Sequence, residues 1–249
     1  MTSQPLTGLE TAQAQPTEYW RFNIYNRVVH LLVLVSFFGS TISGMPLKYP
    51  NAGWARFLTG LQGGVALMGI IHRISAVIIA IYCLMHLAYI VHYVLARKKK
   101  PWGPDTPVPS IKDAKDLWHN LLYFLGKGSR PLFERFTYFE KFDYLAVFWG
   151  VPIIGLSGLV LWFPQFFTKF LPGPAINIAH IMHSDEALLA VGFIYIVHMF
   201  NTHIQFEKFP LNRVMFTGKE TEAELRHERS MQWERMQADP ERIEEMKVR

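Results

Sequence analysis

The chain is short of charge and almost without cysteine. Only 18% of its 249 residues are Asp, Glu, Lys or Arg, against about 25% in an ordinary water-soluble chain. Half are apolar, and mean hydropathy is positive at +0.12. One cysteine, Cys83, excludes a disulfide scaffold. The composition equally excludes collagen, a coiled coil and a wholly disordered chain. No Lys or Arg precedes Arg21, so the polar stretch Met1 to Glu18 has neither the charged nor the apolar region of a signal peptide, and it reads as a disordered cytoplasmic lead-in.

The missing charge is missing in blocks. None falls between Val28 and Leu47, Ile74 and Ala96, Tyr144 and Thr168, or Ala187 and Phe206, and each block meets the roughly 20 residues that a spanning helix needs. The expected architecture is therefore an all-α membrane protein. A four-transmembrane-helix bundle occupies 19–206, with spans at about 28–47, 70–96, 142–168 and 180–206, and a charged tail follows over 207–249. The net charge of +5 and the pI near 9.3 come from residues flanking the spans, so they describe topology and imply no nucleic acid.

Lys and Arg assign the sides. The segment between spans two and three holds Arg97, Lys98, Lys99, Lys100, Lys112, Lys115, Lys127, Arg130, Arg135 and Lys141, and nine more follow Phe206. The two remaining loops hold Lys48, Arg56 and Arg73, and Lys169. Both termini and the middle loop are thus expected on the cytoplasmic side of the inner membrane. Within the middle loop Ser110 and Asp113 have the spacing of a capping box, and Leu117, Trp118, Leu121, Leu122 and Leu125 recur at helical spacing, which predicts an interfacial helix against lipid. Trp54, Phe57, Leu58 and Leu61 predict a shorter one before span two. The tail from Lys219 onward reads as a solvated or partner-docked helix. Beyond a weak echo, Ser43-Gly44 near the end of span one and Ser157-Gly158 in span three, there is no internal repeat.

What the spans do contain is histidine. His30, His72, His86, His92, His183, His198 and His203 lie in them or at their edges, where an ionisable side chain is costly and marks a functional site. His72 and His86 are 14 residues apart, about 21 Å along a helix and within roughly 40° of one face; His183 and His198 are 15 apart, about 22 Å and roughly 60°. Two histidine levels on two parallel spans match two stacked haems, each with an imidazole on both sides of the iron. Small residues between the levels, Ser75, Ala76 and Ala80 on one span and Ala187, Ala190 and Gly192 on the other, leave room for a flat macrocycle. By this spacing His86 faces His198. A metal held by His180 and His183 with Asp185 and Glu186 is a weaker reading of the same region.

These residues carry a resemblance. Asn26-Arg27-Val28-Val29-His30, Ser43-Gly44, Ile71-His72-Arg73, the run Ser157-Gly158-Leu159-Val160-Leu161-Trp162, His183 with His198, and the tail from Met215-Phe216-Thr217-Gly218 through Arg226-His227 to Trp233 stand in order. Over about Tyr19 to Trp233 the chain resembles the di-haem membrane cytochrome b subunits of formate dehydrogenase, hydrogenase and thiosulfate reductase. The resemblance implies two haems b, the outer on His72 and His183 and the inner on His30 and His198, with Arg27 and Arg73 available to the haem propionates. Position thus favours His30 where helix arithmetic favours His86; if both ligate, with His30 paired to His92 or His203, three haems result. The chain departs from the family in two places. His183 and His198 are one residue further apart, which a π-bulge would absorb, and the family's quinone-associated Asn and Gly before span three are replaced by Thr137 to Asp143.

The expected function is an electron conduit between a periplasmic iron-sulfur or multihaem cytochrome c subunit and the quinone pool, with Lys141, Asp143 and His203 as quinone candidates and Glu140 beside them. The alternative is a stand-alone membrane oxidoreductase acting without a partner subunit. A proton-coupled transporter would call for inverted repeats or broken spans, for which Pro152 is the sole candidate.

Overall fold

The computed structural model describes residues 16–98 and 100–248; the lead-in expected at the start of the chain falls outside the described residues as far as residue 15, as do Lys99 and Arg249. A three-residue strand, β1 (Glu18–Trp20), leads into α1 (Ile24–Lys48), a short α2 (Gly53–Leu61) and α3 (Val65–Val91), which continues as a π-helical turn over His92–Ala96. Next come α4 (Ile111–Phe124), α5 (Tyr138–Trp162), the single turn α6 (Pro164–Phe167) and α7 (Pro174–Gly192), which continues as a π-helix over Phe193–Ile204. The tail holds α8 (Val214–Thr217), β2 (Lys219–Thr221), α9 (Glu222–Glu228), α10 (Ser230–Gln237) and α11 (Pro240–Met246). Four helices, Ile24–Lys48, Val65–Ala96, Tyr138–Trp162 and Pro174–Ile204, are long and apolar enough to cross a membrane.

Their ends follow local chemistry. Asn23 caps α1 by accepting the Asn26 amide at 2.9 Å, and Thr137 with Glu140 forms a reciprocal capping box at the start of α5. Span three was expected to reach Thr168 but stops at Trp162, because Pro164 disfavours helical geometry in the residue before it and Phe163 leaves the helix at φ −122°, ψ 55°. The fourth helix starts at Pro174, earlier than the expected residue 180, with proline in the first turn where its missing N–H costs nothing. Gly63 and Gly64, both at positive φ (81° and 94°), make the sharp entry from α2 into α3.

The spans associate as two antiparallel pairs. α1 packs along α3 and α5 along α7, and the pairs meet between α1 and α7. The buried residues of the spans include four serines, Ser36, Ser43, Ser75 and Ser157. Ser36, Ser43 and Ser157 return their hydroxyls to carbonyls four residues back, at 2.7, 2.5 and 2.6 Å, so backbones approach closely without orphaned donors.

Among the described residues, the apolar core cluster lies at one end of the bundle. Tyr19, Leu225, Trp233 and Met236 form it, with Ile243 and Met246 packed on it. β1 pairs antiparallel with β2, Tyr19 opposite Glu220, and the Val248 amide bonds to the Glu18 carbonyl at 2.8 Å. The tail is therefore docked, and its partner is the N-terminal segment of its own chain. Arg21 reaches Glu140 on α5 at 2.8 Å, while Arg229 pairs with Glu220, with Glu228 at 3.1 Å and with Glu140 at 3.4 Å. In the same cap, burial and the neighbouring Arg21 bring Arg135 down to about 10. This cap marks the near end of the bundle, and the opposite end is the far end.

The loop helix α4 has the predicted Ser110–Asp113 box. Its inward face is charged, with Asp113 paired to Lys141 at 2.9 Å and Asp116 to Lys112 at 2.5 Å. Ile111, Leu117, Trp118, Leu121 and Phe124 face away from the protein, as do Trp54, Phe57 and Leu61 on α2 at the far end.

Candidate functional site

Two histidine levels stand in the bundle. At the far end His72 of α3 and His183 of α7 face each other across the helix pairs, with ring centres 6.0 Å apart. At the near end His30 of α1 and His198 in the π-helical part of the fourth span are 6.4 Å apart. One metal held about 2 Å from a nitrogen of each imidazole sets ring centres roughly 6 Å apart, so both spacings fit one metal centre per level.

The far histidines are held by matching seats. Ser43 Oγ lies 3.1 Å from Nδ1 of His72. Nδ1 of His183 is 2.9 Å from the Ile154 carbonyl oxygen and 3.5 Å from Ser157 Oγ. In both rings Nδ1 is occupied, which leaves Nε2 as the free ligand atom. Beneath each ring is a glycine. A Cβ on Gly44 would stand 3.0 Å from Cε1 of His72, and one on Gly158 would stand 2.9 Å from Cε1 of His183. The faint Ser-Gly echo in the sequence is thus one device used twice. Periodicity alone pointed to the histidines; the echo was the visible signal for their supports.

The near level holds three imidazoles and an acid. His203, five residues after His198, has its ring 5.4 Å from that of His198 and 5.6 Å from that of His30, and one ligand atom from each of the three lies within 4.8 Å of the others. His203 is only 4% exposed and its Nδ1 is buried without a partner. Asp143 of α5 accepts from or shares a proton with Nδ1 of His198 through Oδ2, at 2.8 Å. His198 lies in the π-helical part of the fourth span, Phe193–Ile204, where the wider turn sets its rotation relative to His183.

His86 is turned elsewhere. Its Nε2 is 3.1 Å from the Tyr144 hydroxyl, and its ring packs against Tyr144, Phe148 and Tyr89. The structure therefore groups His30, and not His86, with His198. His92 is exposed. His180 is also exposed, and Asp185 is engaged by Lys48 at 2.5 Å, so the alternative metal set around His180 is not assembled.

Arg73 lines a cleft of about 300 Å³ between α3 and the end of α5, together with Ile70, Ile74, Val77, Ile78 and Trp162. Arg27 has its Nε buried without a partner one turn before His30, an orphaned donor suited to an anionic group. Lys141, 4% exposed, is engaged by Asp113 and Asp143 Oδ2 by His198, which leaves Asp143 Oδ1 and His203 Nδ1 buried without a partner among the described residues. No protein-family model matches the chain, and no curated protein is detectably similar to it.

Proposed function

We propose that the chain is a di-haem cytochrome b that carries electrons across the cytoplasmic membrane, between a redox subunit at the far, periplasmic end and the quinone pool at the near, cytoplasmic end. The observation that carries the reading is the pair of facing histidines at each end of the bundle, with ring centres 6.0 and 6.4 Å apart. The residues fit haem b: each pair can offer an imidazole nitrogen from both sides, small residues line the crossings, and Arg27 and Arg73 can meet propionates. Haem, when bound, supplies a one-electron carrier at each level.

Every other part is played by the chain. His72 and His183 hold the far group, and the Ser43 and Ser157 hydroxyls fix their rings. His30 and His198 hold the near group. Arg27 and Arg73 neutralise carboxylates by bidentate pairing. Quinone chemistry moves two protons for two electrons, and His203 can hold one at its unpartnered Nδ1 beside the near level. A periplasmic iron-sulfur or multihaem cytochrome c subunit as far-end partner is supported by the resemblance and by the exposed apolar residues of α2, and location in the inner membrane with both termini cytoplasmic by the excess of Lys and Arg in the middle loop and tail.

The test is the visible spectrum and pyridine haemochrome of the purified chain. Two haems b per chain are expected, with His72→Ala and His183→Ala each removing one. A chain without haem would sink the reading. One observation favours a second reading at the near level alone: three imidazole atoms within 4.8 Å also suit a mononuclear divalent metal. One haem and one metal equivalent per chain would select it.

A further inference from the structure

The two levels differ in what stands behind the histidine of the fourth span. At the far level His183 is backed by a carbonyl and a hydroxyl, and His72 by a hydroxyl. All three partners are neutral. Of the two acids that follow on that helix, Asp185 is engaged by Lys48 at 2.5 Å, and Glu186 lies against Gly150 of α5, where an added Cβ would stand 3.1 Å from its Oε1; neither is hydrogen-bonded to a far-level ring among the described residues. At the near level His198 is backed by the Asp143 carboxylate at 2.8 Å.

That carboxylate is not neutralised by its neighbours. Lys141, two residues earlier, is paired with Asp113 at 2.9 Å. Arg21 and Arg229 are turned to Glu140. The second oxygen of Asp143 is buried and has no partner among the described residues. A buried carboxylate with one imidazole contact is expensive unless positive charge lies just beyond that imidazole.

We infer that Asp143 is a positioning residue that sets the near-level haem to a lower reduction potential than the far-level haem. The inference rests on the haem reading above and goes beyond it. Two effects have the same sign. A carboxylate on Nδ1 fixes the ring and makes Nε2 a stronger donor to a metal. Its charge also stabilises the oxidised iron, which carries one more positive charge than the reduced one, across a medium of low dielectric. The far level has only neutral hydrogen-bond partners in place of that carboxylate, and since each level has one guanidinium close by, Arg73 beside His72 and Arg27 one turn before His30, the carboxylate is what distinguishes them. An electron shared between the levels therefore rests at the far one, and transfer from the near end to the far end is downhill.

The experiment is a potentiometric titration of the α-band of the detergent-purified holoprotein. His183→Ala identifies which wave belongs to the near level. The wild type is expected to give two waves, the lower one near. Asp143→Asn should move that wave upward and leave the other in place, with a changed low-spin electron paramagnetic resonance signal for one haem only. If Asp143→Asn sheds the near haem, Asp143→Glu, which keeps the carboxylate, should retain both the haem and the low wave. Two haems with neither wave moved by Asp143→Asn would overturn this inference alone, as would loss of the near haem from Asp143→Asn and Asp143→Glu alike. A wild-type chain with no haem would overturn the functional reading with it.

Discussion

The far and near histidine levels are built from one plan and finished differently. The far pair is held by the helices themselves: a serine hydroxyl and a glycine on each of two spans seat its two rings. The near set has a third histidine and a carboxylate, and it is braced from outside by the cap. Arg21 and Arg229 bind Glu140, one turn before Asp143. Asn212 holds the other side, its amide bonding the His203 carbonyl at 2.8 Å and its side chain the Thr202 carbonyl at 3.0 Å. A site supported by its own helices is insulated from the loops, whereas one braced by a cap is coupled to them.

That contrast can be broken experimentally. On the di-haem proposal the largest expected effect is from His198→Ala, which should abolish haem binding at the near level while the far-level spectrum remains, since the far seats involve only α1, α3, α5 and α7. A smaller but still large effect is expected from Arg229→Ala. Removing one partner of a buried charge network costs about 3–5 kcal/mol. Heated in detergent, the variant should therefore lose its near-level absorbance well before its far-level absorbance; simultaneous loss would show that the cap supports both levels equally.

Gly158→Ala probes the far seat in turn. The added methyl meets the His183 ring at 2.9 Å, and overpacking of this kind costs about 1–3 kcal/mol. Haem titration into the apoprotein should show weaker binding at the far level and none of this loss at the near level. The cap should also respond to acid. Burial would raise the Asp105 carboxyl, but hydrogen bonds from Arg235 and Arg242 hold it below its ordinary value. The unfolded cap then binds protons more readily than the folded one. The stability due to this group is complete above about pH 4 and is lost as pH falls through the folded value. Trp233 fluorescence followed downward in pH should show the transition, and Asp105→Asn should flatten it. The smallest effect is expected from Ser43→Ala, about 1 kcal/mol for one hydrogen bond, read as a shift of the far-level low-spin resonance with haem content unchanged.

Much of this was legible in the sequence because hydrophobic runs and helical spacing are local. Four spans, the Ser110 capping box and the short helix before α3 all appear where composition placed them. Pro164 moved the end of the third span because a proline acts on the residue before it, an effect that charge counting does not register. The far level, His72 with His183, was legible too, since residues one helix-length apart on one span declare their relative depth. The choice between His30 and His86 was not. Spacing favoured His86, yet His86 is turned to Tyr144, because rotation of a helix about its axis is set by its packing partners and leaves no trace in its own periodicity.

Sequence by itself determined which segments are apolar enough to cross a membrane and how far along its helix each histidine lies. Only the tertiary structure decided which rings face each other, that Ser43 and Ser157 hold them, that Asp143 stands behind His198, and that the tail closes onto Tyr19 and Trp20 at the other end of the chain. The physical reason is range. Depth and hydropathy are properties of single segments, whereas a ring's partner depends on contacts between residues tens to hundreds of positions apart, such as Arg21 with Glu140 or Tyr19 with Trp233.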